Sequence, residues 1–106
     1  MNITVQRIVI IGNGISGNSA AQAIRRLNQK VDLTLISDEK HPLYSPCGLH
    51  KFLSGEMEEQ RLFLKKFDDY SREGIRTILG ERVSEIDLKK GEVCLSERKI
   101  PFDKLI

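Results

Sequence analysis

Three glycines and two acids are the residues whose types and spacing could do chemistry. Gly12, Gly14 and Gly17 form G-x-G-x-x-G within Arg7–Gly17, R-I-V-I-I-G-N-G-I-S-G, and Asp38 and Glu39 follow about twenty residues later. Each glycine has its own task. Gly12 permits a tight turn, Gly14 has no Cβ to block a pyrophosphate, and Gly17 lets a following helix pack close to the strand before it. The backbone N–H groups of Ile15, Ser16 and Gly17 would open that helix at its positive dipole end, aimed at phosphates. An acid after the next strand accepts hydrogen bonds from ribose hydroxyls. Ser37 holds the slot directly after the strand, so the ribose acid is Glu39 or Asp38, displaced by one or two positions. No arginine follows closely enough to suggest a 2′-phosphate. The competing readings are a ligand-free glycine turn and a pair of surface acids; the strand-before, helix-after context favours a dinucleotide.

These residues need a frame to hold them. Ile8 to Ile11 is a continuous apolar run, which suits a strand buried on both faces of a parallel sheet. A helix from Ile15 puts Ala20, Ala21, Ile24 and Leu27 on one face, with small residues early for close approach. Val31–Ser37 reads as the second strand. Leu62, Phe63, Phe67 and Tyr70 read as core packing, with a helix starting at Lys66 or Phe67 and Gly74 as its C-cap. Ile75–Leu79 is a third strand, placed beside the second in a 3-2-1 half-sheet. Beyond Gly80 the period shortens. Arg82–Asp87 and Glu92–Leu95 flank Lys89-Lys90-Gly91, a hairpin signal, and Lys99–Phe102 adds a third short strand. Cys94 reads as a packing residue of that meander.

The fold class is therefore α/β: a Rossmann-like half-domain with a parallel βαβ sheet and a small antiparallel meander. Asp103–Ile106 looks like the opening of another buried strand. A doubly wound fold needs a second βαβ half. The expectation is that residues 1–106 are a partial, truncated domain of a longer protein, or one whose other half is supplied elsewhere. An incomplete sheet with an exposed edge can pair or swap with a second copy, so a homodimer is within reach.

Lys40–Gly55, K-H-P-L-Y-S-P-C-G-L-H-K-F-L-S-G, is the second informative stretch. Pro42 and Pro46 stiffen a loop leading into a short helix around Leu49–Leu53. Cys47 lies just before that helix, where backbone N–H groups favour a thiolate, and Lys51 stands one turn beyond. On the residues alone, Cys47 is either a low-pKa thiol or a buried inert one.

Composition narrows the field. The 106 residues suffice for one small domain, and 40% hydrophobic with 30% charged residues describes a globular chain. A net charge of +2 is too small to argue for nucleic acid, and Arg25-Arg26, Lys65-Lys66 and Lys89-Lys90 each sit near acids, as solvated surface does. No apolar run is long enough to span a membrane, and the N-terminus lacks a signal-peptide core, so a cytoplasmic location is expected. The two cysteines are too few for a disulfide scaffold and lack zinc-ligand spacing, so no metal is expected.

Together these segments resemble the N-terminal FAD-binding part of the FAD-dependent pyridine nucleotide-disulfide oxidoreductases, over essentially all of residues 5–106. R-I-V-I-I-G-N-G-I-S-G-N-S-A-A resembles the FAD fingerprint, and H-P-L-Y-S-P-C-G-L-H-K-F-L-S-G-E the isoalloxazine-side loop. G-I-R-T-I-L-G-E-R-V-S-E-I-D and I-P-F-D-K-L-I resemble the run leading into the family's A-T-G segment. The NAD(P)H-binding and C-terminal interface domains of that family lie outside this chain. Y-S-P-C-G-L is similar to the single-cysteine branch of coenzyme A-disulfide reductases and NADH oxidases, which puts Cys47 at the redox position. Y-S-x-x-x-L-x-K-x-L-x-G-E is similar to the nitrite- and rubredoxin-reductase branch. There an arginine commonly stands where Pro46 is, and a flavin-side lysine matches Lys51. Leu43 replaces the serine found four residues before the cysteine in much of the first branch, a departure that tells against peroxidase-type chemistry. The two-cysteine C-x4-C is absent.

The resemblance implies FAD as cofactor and NAD(P)H as co-substrate. Electrons would pass to a thiol or disulfide at Cys47, or to an acceptor protein. The alternatives are an electron-transfer subunit of a larger complex with Cys47 a bystander, and a non-catalytic module binding NAD or an adenine nucleotide. By itself the 106-residue piece is expected to be inactive.

Overall fold

A computed structural model describes residues 6–44, 51–58 and 62–106. The elements run β1 (Arg7–Ile11), α1 (Ile15–Leu27), β2 (Asp32–Ser37), α2 (Phe67–Arg72), β3 (Ile75–Leu79), β4 (Glu85–Asp87), β5 (Glu92–Cys94), β6 (Lys99–Pro101) and β7 (Lys104–Leu105). Four strands form a parallel sheet in the order β3-β2-β1-β7, and β4-β5-β6 form a separate antiparallel sheet. The expected 3-2-1 half-sheet and meander are both present.

The apolar run of β1 divides between two cores. Ile8 and Ile10 join Leu33, Leu35, Ile75, Ala21 and Tyr70 on the face covered by the helices. Val9 joins Ile36, Ile78, Val93 and Leu95 on the face covered by the meander. Burial on both faces is why the strand carries no polar alternation. Register places Ile11 opposite Ile36 and Ser37 opposite Leu79, so the carboxyl ends of the three strands lie side by side. The chain leaves β1 toward β2 on one side and returns as β7 on the other. The place where the strand order reverses is thus the carboxyl end of β1, where ligands bind in open α/β sheets.

β7 is held by a clamp that also fixes its register. The Arg7 backbone N–H and guanidinium donate to both carboxylate oxygens of Asp103 at 2.7–3.2 Å, and Asp103 N–H returns to the Arg7 carbonyl at 2.8 Å. Arg25 ties α1 to both neighbouring turns, donating to the Val31 carbonyl at 3.0 Å and the Gly74 carbonyl at 2.8 Å.

Five expectations need correction. Lys65, read as solvated surface, is 6% exposed, because its ammonium pairs with Glu73 at 2.7 Å. Leu27 is 88% exposed, not part of the buried face. Leu27 is the last helical residue, next to the C-cap Asn28, and Ile24 one turn earlier is the last of that face to pack on the core. Phe67, at the first position of α2, is exposed, while Tyr70 one turn later is buried. The strands are also shorter than the apolar pattern, because Val31, Arg82–Ser84 and Leu95 lie outside the ladders. Cys94 is half-buried, since alternation turns Val93 and Leu95 into the core and Cys94 away from it.

Candidate functional site

Gly12, Gly14 and Gly17 do three different physical jobs. Gly12 sits at φ +118°, where L side chains are strained, and its N–H donates to the Ile36 carbonyl at 2.7 Å, locking the turn to the end of β2. A Cβ on Gly17 would collide with the carbonyl group of Gly12, so this glycine lets α1 lie directly on the turn. Gly14 is different. A Cβ there would meet no protein atom within 4 Å, and its φ of −83° suits any residue. The fold itself places no demand on that position. Gly14 lines an open cleft.

Gly14 is the N-cap of α1 and offers no side-chain cap; the first turn carries no acid. The first helical bond is Asn18 N–H to the Gly14 carbonyl at 3.1 Å. The N–H groups of Ile15, Ser16 and Gly17 find no acceptor among the described residues. Three free donors and a positive dipole end therefore face outward beside an open glycine, an anion-binding arrangement.

The acids reach the same cleft. Ser37, the buried last residue of β2, accepts the Glu39 N–H on its hydroxyl at 3.1 Å, and the Glu39 carbonyl accepts the Gly80 N–H at 3.0 Å. This turn presents the exposed side chains of Asp38 and Glu39 at the rim. A cleft of about 230 Å³ runs from Gly12–Ile15 past Ser37, Asp38 and Glu39 to Leu43 and Tyr44. A second hollow of similar size shares Gly12, Ser37 and Asp38 and extends to Glu81, Arg82 and Val83. Asp38 lines both and Glu39 the first.

Of the remaining predicted residues, Lys51 does not line this cleft. Lys51 is exposed at helical residues 51–53, whereas Phe52 beside it lines a larger hollow with Glu39, Lys40 and His41. Pro46 and Cys47 lie outside the described residues. No cluster of three metal-ligating side chains exists among the described residues.

Two groups escaped the sequence reading. Glu81–Val83 wall the second hollow because, in a parallel sheet, whatever follows β3 emerges beside whatever follows β2; the strand order was signal enough to find them. Asn13 and Tyr70 meet behind the cleft. The Tyr70 hydroxyl donates to Asn13 Oδ1 at 2.8 Å, and Asn13 Nδ2 donates to the His41 carbonyl at 2.7 Å. Burial pushes the Tyr70 phenol above its ordinary value, opposed by hydrogen bonds from the Leu43 N–H and with Asn13 and Asn18. A polar residue between two fingerprint glycines was the available signal for Asn13.

Comparison with known proteins agrees with this geometry. The family model described as pyridine nucleotide-disulphide oxidoreductase matches residues 6–106. The assimilatory nitrate reductase electron transfer subunit of Bacillus subtilis is 32% identical over 103 residues, covering 95% of this chain and 13% of that protein. The NADH-rubredoxin oxidoreductase of Clostridium acetobutylicum is 35% identical over 102 residues, covering 94% of this chain and 26% of that protein. Among solved structures, the covalent putidaredoxin reductase–putidaredoxin complex superposes with a TM-score of 0.86 at 25% identity, over 94% of this chain and 24% of that one. The chain thus spans about an eighth to a quarter of the proteins it matches. From fingerprint turn to β7, the chain belongs to the pyridine nucleotide-disulphide oxidoreductase family.

Proposed function

We propose that this chain is the FAD-binding portion of an NAD(P)H-dependent flavin oxidoreductase. The observation that carries the reading is the cleft itself: an open Gly14, the opening of α1, whose first N–H groups have no acceptor among the described residues, and two carboxylates line or border it. That donor and acceptor set fits a dinucleotide. Ile15, Ser16 and Gly17 would donate to the pyrophosphate, Gly12 and Gly14 would admit it, and Asp38 or Glu39 would accept the adenosine ribose hydroxyls. When bound, the flavin supplies the redox chemistry, accepting hydride from NAD(P)H and passing electrons on. The protein's share is binding, orientation and exclusion of water.

An acceptor protein is the favoured destination for the electrons. The named relatives include an electron transfer subunit, a rubredoxin reductase and a reductase covalently joined to putidaredoxin. A thiol route through Cys47, with Pro46 and Lys51 on the flavin side, is the second reading and rests on the loop sequence. Turnover of a Cys47→Ser full-length enzyme separates the two: unchanged rates with every acceptor remove Cys47 from the mechanism.

The reading itself is tested by titrating the full-length protein side by side with FAD and with NAD, following fluorescence. Selective FAD binding supports it. Binding of NAD alone would replace it with a nucleotide-binding module, and binding of neither would overturn it.

A further inference from the structure

Behind the cleft, Tyr70 is 1% exposed, and phenylalanine would bury the same apolar ring. Its hydroxyl nevertheless makes two bonds that cross between segments distant in sequence. It donates to Asn13 Oδ1 and accepts the Leu43 N–H, each at 2.8 Å. Asn13 lies in the glycine turn on one wall of the cleft, and Leu43 lies on the other. Each end is anchored further. Asn18 Nδ2 donates to Asn13 Oδ1 at 3.0 Å and to the Gly14 carbonyl at 2.9 Å. The Leu43 carbonyl accepts the Leu64 N–H at 2.7 Å and the Lys65 N–H at 3.3 Å. The buried Lys65 ammonium lies 4.7 Å from the centre of the Tyr70 ring and pairs with Glu73 at 2.7 Å, which fixes the ring.

Stability alone does not account for this network. Asn18 Oδ1 is buried and without a partner among the described residues, and an incompletely satisfied polar network is a poorer core than an apolar one. Geometry does account for it. A hydroxyl bonded to both walls at fixed length sets the distance between them. We propose that Tyr70 is a positioning residue for the dinucleotide site, its hydroxyl holding the phosphate turn and the 41–44 loop at the separation the ligand requires. This rests on the dinucleotide reading of the cleft.

The test uses the full-length protein with Tyr70→Phe, Asn13→Ala, the double variant, and Ile75→Val as control. Ile75 is buried in the same core but at the amino end of β3, away from the cleft. FAD affinity and dissociation rate are read from flavin fluorescence, and the stability of the cofactor-free protein from denaturation. Tyr70→Phe is expected to weaken FAD at least tenfold and speed its release, while Ile75→Val stays within twofold of wild type. The double variant should lose no more than Asn13→Ala alone, because that change already cuts the Tyr70 link together with the direct Asn13–His41 bond. Should Tyr70→Phe not fold, Asn13→Ala carries the comparison with Ile75→Val. Wild-type affinity in Tyr70→Phe, an equal loss in Ile75→Val, or additive losses in the double variant would overturn the proposal. Failure of wild type to bind FAD in the same titration would instead sink the dinucleotide reading.

Discussion

Replacing Gly14 and Gly17 one at a time by alanine should separate the glycine the fold needs from the glycine the ligand needs. At Gly17 the new methyl collides with the Gly12 carbonyl oxygen and comes to 3.2 Å from its carbon. Both are backbone atoms that cannot rotate aside. Helix α1 must lift, or the turn must open against its bond to Ile36. Overpacking of this kind costs about 1–3 kcal/mol, and backbone opposition places Gly17→Ala in the upper part of that range. At Gly14 the methyl meets nothing within 4 Å and the backbone is already in a region open to alanine. Its cost to the cofactor-free protein should stay within about 0.5 kcal/mol. Gly14 lines the cleft, so a methyl there should lower FAD affinity tenfold or more, about 1.4 kcal/mol. Urea denaturation of the cofactor-free proteins and FAD titration of each measure the two effects independently. A Gly14→Ala protein with wild-type affinity, or one as destabilised as Gly17→Ala, would refute the reasoning.

Asp38→Asn and Glu39→Gln should leave stability unchanged, since both side chains are exposed, and the one that holds the ribose should weaken FAD by about 1.5–3 kcal/mol; equal, negligible losses would exclude both. Tyr70 makes stability fall in alkali. Its raised folded-state pKa means the contribution is intact below the ordinary tyrosine value of 10.0 and is lost as pH rises through the folded value, so Tyr70→Phe should flatten the alkaline limb of a stability–pH profile. Asp103 acts at the other end. Hydrogen bonds from Arg7 hold its carboxyl below the ordinary 3.8, so the clamp is intact above that value and released as pH falls below it; Asp103→Asn should make the acid limb shallower.

The glycine spacing, the apolar run before it and the acids after β2 were legible because each is a local requirement. A positive-φ turn, a doubly buried strand and a helix opening all write themselves into neighbouring residues. The three strands of the half-sheet and the hairpin were legible for the same reason. What the tertiary structure decided is whatever depends on an element's length or neighbours. Leu27 has the right helical phase, but only the folded structure shows that packing on this face ends with Ile24. Glu81–Val83 gained their place from parallel pairing of β3 with β2. Tyr70 has the sequence signature of any core aromatic. Its second role comes from hydrogen bonds to residues 57 and 27 positions away, and no local pattern encodes contacts that only chain folding brings within 3 Å.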